Sequence, residues 1–71
     1  MKKRKRIQEF RLELSEGKHE VAYLKLPTFP VDQLKTSKSL RLHDLIGAYE
    51  GPDINIDFDE DGVLVGIEII V

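Results

Sequence analysis

The sequence predicts a mainly β protein: about five antiparallel strands in a meander of hairpins, with at most one short helical turn. Three observations carry this. Apolar and polar residues alternate with period two through run after run, the signature of a strand with one face turned inward. Glycines and prolines punctuate those runs at turn spacing, and Asp61-Gly62 is a strong hairpin signal. The single helix candidate, the stretch after Asp44, is stopped by Gly47 and then by Gly51-Pro52.

Taken in order, Phe10-Arg11-Leu12-Glu13-Leu14 places apolar residues on even positions and charges on odd ones. Ser15 to His19 reads as a turn in which Gly17 is free to take positive φ. Val21-Ala22-Tyr23-Leu24-Lys25-Leu26 follows as a second, more apolar strand, paired with the first across a loop of about five residues. Pro27 and Pro30 end it, because proline cannot donate to a ladder and restricts the residue before it. From Pro27 to Lys35 an irregular excursion is expected, with Phe29, Val31 and Leu34 tucked against the sheet. Lys38-Ser39-Leu40-Arg41-Leu42 resumes the alternation, and Asp44 is placed to cap one helical turn over Leu45, Ile46 and Ala48.

The C-terminal hairpin can be tested on paper, since a one-residue slip turns a whole strand face over. Ile54, Ile56 and Phe58 alternate with Asn55, Asp57 and Asp59, and the run from Val63 to Val71 is rich in β-branched residues. A two-residue loop at Asp61-Gly62 sets Phe58 opposite Val65, Ile56 opposite Ile67 and Ile54 opposite Ile69. A four-residue loop from Asp59 also keeps apolar facing apolar, whereas a three-residue loop sets Ile54 against Glu68. An even loop is expected.

No amphipathic helix of useful length is available to cover such a sheet, yet an antiparallel sheet has an apolar face that needs a second layer. Either the sheet curls onto itself with the 27–36 excursion as a lid, or a second copy covers it. The last strand favours the second copy. Val63, Val65, Ile67 and Ile69 fill one face while Leu64 and Ile70 put apolar mass on the other, and a strand greasy on both sides belongs between layers or at an interface. These six are the expected interface residues, and a homo-oligomer, most simply a two-fold dimer, is the expected state. A Glu68 packed there would need a donor, because a buried unpaired carboxylate is costly.

Length and charge bound the rest. The chain has 71 residues, room for a single domain at 7–71 behind a basic tail at 1–6. There are no cysteines, hence no disulfide framework and no thiol chemistry. No apolar run approaches the ~18 residues of a membrane span. The basic start leads into Ile7-Gln8-Glu9-Phe10-Arg11 rather than an apolar stretch, so no secretory signal is read and a cytoplasmic location is expected. Lys2, Lys3, Arg4, Lys5 and Arg6 supply nearly half of the 11 positive charges, and after Arg41 no Lys or Arg occurs. Nucleic acid or an anionic surface could be held by that head alone, since the acidic body repels polyanions. The bland alternative is a solvated terminus.

Motifs of chemistry are sparse. Asp57-x-Asp59-x-Asp61-Gly62 with Glu68 further on satisfies the EF-hand calcium expression. Its flanks read as strands rather than helices, so an acidic hairpin turn is the expected identity, with a weak calcium contact at Asp57, Asp59 and Asp61 as the alternative. His19 and His43 lack the paired spacing of zinc ligands and are read as surface residues. Ser15, Ser37 and Ser39 sit in no nucleophile motif, the glycines build no phosphate loop, and the aromatic residues read as packing groups. Neither catalysis nor a cofactor is expected.

Asp57-Phe58-Asp59-Glu60-Asp61-Gly62-Val63-Leu64-Val65-Gly66-Ile67-Glu68-Ile69 resembles the C-terminal signature of domain-of-unknown-function family 2283. Val21 to Leu26 is similar to that family's tyrosine-bearing strand, and Leu42-His43-Asp44-Leu45-Ile46-Gly47 to a segment of some members. The resemblance spans about residues 20–71, with Glu16 to Glu20 departing from the usual acidic run and residues 27–36 looking like an insertion. It implies a compact β protein and no particular reaction. Some members stand beside small toxin-like genes, which implies an antitoxin-type partner role as an alternative to the self-associating interaction module read from the residues.

Overall fold

The structure is a computed structural model that describes residues 5–15, 17, 20–32 and 37–71. Five strands form one open antiparallel sheet: β1 (Arg11–Ser15), β2 (Val21–Lys25), β3 (Lys38–Arg41), β4 (Asp53–Phe58) and β5 (Leu64–Ile70). One short helix, α1 (Leu42–Ile46), lies between β3 and β4. The mainly β reading therefore holds, but the strands do not form the expected single meander of hairpins. The strand order is β1-β2-β5-β4-β3, so the β1–β2 hairpin and the β3–β4–β5 meander meet where β2 pairs with β5. The prolines that end β2 release the chain to the far edge, and β5, the strand richest in β-branched residues, takes the centre with both ladder sides paired.

Registers align the apolar positions across all five strands. Leu12 lies opposite Leu24, Leu24 opposite Ile67, Ile67 opposite Ile56, and Ile56 opposite Leu40. Leu14, Ala22, Ile69 and Ile54 form the next row. The other face carries Glu13, Tyr23, Glu68, Asn55 and Arg41 in one row and Arg11, Lys25, Gly66, Asp57 and Ser39 in the next.

The β4–β5 turn corrects the even-loop expectation. The Gly62 N–H donates to the Asp59 carbonyl at 3.0 Å and the Asp59 N–H to the Val63 carbonyl at 3.0 Å, enclosing residues 60–62, an odd loop. Gly62 sits at φ 80°, where a side chain would be strained. A β-bulge restores the register: Asp57 faces Gly66 but Phe58 faces Leu64, leaving Val65 as the extra residue. Hence Ile56–Ile67 and Ile54–Ile69 pair as expected, while Phe58 does not meet Val65. The bulge also separates Leu64 from Ile70: Leu64 is opposite Phe58, while Ile70 lies between Val21 and Asp53 on the polar face.

Asp44 is not the helix cap. Arg41 holds that position without a side-chain bond, Asp44 sits in the first turn, and Gly47 at φ 85° ends the helix. The strand runs straight into α1, so no residue is left between them for Asp44 to cap from.

The missing layer is real among the described residues. Phe29 of the excursion packs edge-on against Tyr23 at 6.2 Å, with the Lys25 ammonium 4.8 Å above its ring, so it lies on the polar face. Val31 is exposed, and Leu34 lies outside the described residues. Among strands and helix, α1 touches only β3 and β4. Val65 is the only buried hydrophobic residue among those described, while Leu12 and Leu14 are 62% and 73% exposed. The radius of gyration, 13.2 Å, exceeds the roughly 11 Å of a compact domain this long. The fold is a slab.

Candidate functional site

Three features can do something: a buried carboxylate at the β4–β5 turn, a polar row centred on Tyr23, and the bare apolar face. The first is built from three distant segments. The Ile7 N–H donates to the Phe29 carbonyl, the Gln8 N–H to the Pro27 carbonyl and the Val31 N–H to the Lys5 carbonyl, so residues 5–8 run along the excursion. This carries Arg6 to the turn, where Nη1 donates to the Thr28 carbonyl at 2.7 Å and to Asp59 Oδ2 at 2.8 Å. The other oxygen of Asp59 accepts the N–H groups of Asp61 at 2.9 Å and Val63 at 3.0 Å. The Thr28 hydroxyl donates to the Leu64 carbonyl, closing the corner.

The Asp59 side chain has no exposed surface, whereas Arg6 keeps 23%. Burial pushes the Asp59 carboxyl up, but the Arg6 hydrogen bond, the two backbone donors and the Arg6 charge outweigh it and hold the carboxyl below its ordinary value. The sequence pattern instead predicts a solvated turn residue at Asp59. The available signal was an aspartate opening a tight turn that ends in glycine, where its side chain can accept the N–H two residues on. Arg6, expected in the anion-binding head, is committed to this corner. Lys5 is exposed, and Lys2, Lys3 and Arg4 lie outside the described residues, as does His19.

On the polar face, the Tyr23 hydroxyl donates to Asp57 Oδ2 at 2.9 Å and the Ser39 hydroxyl to Asp57 Oδ1 at 2.7 Å. Tyr23 reaches Asp57 only because Gly66 lies beneath it: a Cβ there would sit 2.1 Å from the phenol oxygen. Asn55 donates to Glu68 at 3.1 Å, which answers the need of Glu68 for a donor within its own chain. Lys25 pairs with Glu13 at 2.9 Å and Arg41 with Asp53 at 3.1 Å. His43, expected at the surface, is half-buried between Asp53 at 3.2 Å and the Tyr49 ring at 4.1 Å.

Burial raises the Tyr23 phenol far above its ordinary range, helped by the hydrogen bond to Asp57 and by the charges of Asp57, Glu68 and Glu13. The folded protein thus holds a proton that the unfolded chain releases. The associated stability is full below the unfolded tyrosine value of about pH 10 and is lost as pH rises beyond it. An alkaline titration should show the Tyr23 phenolate appearing together with unfolding. Tyr23→Phe should cost about 1 kcal/mol at neutral pH and remove that tyrosine-linked loss.

The three calcium candidates do not converge. Asp57 faces Tyr23 and Ser39, both Asp59 oxygens are occupied by Arg6 and the turn, and Asp61 is exposed. Among the described residues, no group of three or more acidic, histidine or cysteine side chains could hold a metal ion. No helix among them is long and apolar enough to cross a membrane.

Fold and contacts of the described residues together define an open antiparallel β-sheet with one hydrogen-bonded polar face and one apolar face. The chain belongs to the family described as Protein of unknown function (DUF2283), whose model matches residues 16–70. That span holds Tyr23, Asp57, Asp59, Gly62, Gly66 and Glu68 and begins just after β1. No curated protein and no solved structure matches the chain.

Proposed function

We propose that the protein is a non-enzymatic, cytoplasmic interaction module that self-associates by burying its apolar sheet face against a second copy, most simply as a two-fold dimer. The observation that supports this is the continuous row of Leu12, Leu24, Ile67, Ile56 and Leu40, backed by Leu14, Ala22, Ile69 and Ile54, of whose strands the one described helix touches only β3 and β4. Two such faces stack at about 10 Å, interdigitating their side chains as the halves of a β-sandwich do. A second copy is favoured over a different partner because every side chain in these two rows is uncharged and apolar. A small domain whose described residues include a single buried hydrophobic one also gains its missing core this way. The non-enzymatic part rests on the polar face, where Tyr23 donates to Asp57 and Asn55 to Glu68.

Sedimentation over a concentration series should show dimers dissociating on dilution. Ala22→Lys places a charge in the middle of the apolar face and should weaken association at least tenfold while far-UV circular dichroism stays unchanged. A monomer at every concentration would remove the proposal.

A further inference from the structure

The apolar face is not the only surface the sheet leaves open. We propose that β1 forms a second joint between copies, pairing antiparallel with β1 of another molecule about a two-fold axis at Leu12. This rests on the self-association reading for the identity of the partner, but it uses a different surface: the backbone edge rather than the face. The span matched by the family begins after β1, so the joint belongs to a part of this chain outside that match.

Backbone direction is the first argument. The Leu26 N–H bonds the Val65 carbonyl at 2.9 Å and the Val71 N–H bonds the Glu20 carbonyl at 3.0 Å, both continuing the β2–β5 ladder at even-numbered positions of the β2 segment. Antiparallel residues alternate between bonding to one neighbour and to the other. Ala22 and Leu24 therefore bond to β5, and Val21, Tyr23 and Lys25 bond to β1. Their β1 partners are Ser15, Glu13 and Arg11, which use their backbone groups inward. Leu12 and Leu14 are left aiming N–H and C=O outward from a strand exposed along its whole length.

Charge selects the partner and the register. Pairing of outward groups allows Leu12 on the axis, or a charged neighbour, Arg11 or Glu13, one step to either side. With either charged residue on the axis, it meets its own copy and like charges face each other. With Leu12 on the axis, Arg11 meets Glu13 of the second copy twice over, and Phe10 meets Leu14 of the second copy. Arg11 and Glu13 then sit in the closely spaced, non-bonded pairs where side chains interact most. Leu12 and Leu14 lie on the apolar side, so the two apolar faces merge into one. The opposite edge gives no such match: β3 carries Lys38 and Arg41 and no acid, and α1 adjoins it, both devices that discourage pairing.

Charge reversal tests this with the intact chain by sedimentation. Arg11→Glu and Glu13→Arg should each weaken the edge contact about tenfold or more, and the double swap should restore it. Leu12→Pro removes an outward N–H that no intramolecular ladder bond uses, so it should abolish the edge contact with circular dichroism preserved. Hydrogen exchange gives a second readout: the Leu12 and Leu14 amides should become protected on association. If Ala22→Lys weakens association but all three β1 variants behave as the wild type and those amides exchange at the monomer rate, the edge joint is overturned and the stacked dimer stands. If the wild type never associates, both fall.

Discussion

Gly66→Ala should destabilise the protein by about 2–4 kcal/mol, lowering its melting temperature by roughly 10–25 °C for a domain of this size. An added Cβ would lie 2.1 Å from the Tyr23 phenol oxygen, 2.5 Å from Cζ and 3.0 Å from Cε2, distances that no packed methyl tolerates. Either β5 shifts at the centre of the sheet, where both of its ladders are bonded, or Tyr23 swings aside. The second response breaks the Tyr23–Asp57 bond, leaves Asp57 Oδ2 without that donor, and undoes the packing of Phe29 on the ring. Because the damage is a clash with one side chain, it must be non-additive. Gly66→Ala combined with Tyr23→Ala should cost little more than Tyr23→Ala alone. Thermal melts of the two single variants and the double variant decide it: additive losses, or a Gly66→Ala protein melting within about 2 °C of the wild type, would show that Tyr23 does not lie over Gly66.

The second large effect is at Asp59. Asp59→Ala should cost about 2–3 kcal/mol, somewhat below the range for breaking a fully buried pair because Arg6 retains access to water. The loss has two parts, the Arg6 ion pair and the acceptor for the Asp61 and Val63 N–H groups. Asp59→Asn keeps an oxygen for the turn but presents its amide to a cation, so it should fall between alanine and the wild type. The sign with pH follows from the lowered carboxyl. The unfolded chain takes up the proton first, so the contribution is full above the ordinary carboxylate value near pH 4 and is lost as pH falls through the depressed folded value. Urea midpoints measured from pH 7 downward should therefore fall less steeply in Asp59→Ala than in the wild type. Parallel curves would mean that Asp59 does not carry the acid sensitivity.

These two residues also mark how far the sequence could be read. Gly66 was visible as a glycine inside a strand, a sign of close backbone or side-chain approach. Its reason is Tyr23, which reaches Asp57 34 positions along the chain, and no local pattern announces that pairing. Asp59 looked like one acid among several on a wet turn. It is buried where Arg6 arrives from 53 positions away and pairs with it. The loop parity differs from the expected even count for a related reason: an odd turn and a bulge at Val65 cancel each other, and counting residues detects only their sum.

Strand positions were legible from the residues alone, and so were the faces except across the bulge at Val65, because alternation is a property of neighbours and survives any arrangement of the strands. Strand order, the seat of Asp59 and the side on which Phe29 lands were not, because each depends on which distant segments meet, and many pairings satisfy the same alternation. That Phe29 does not cover the apolar side is likewise an outcome of folding in space: it settled on the opposite face, over Tyr23 and Lys25.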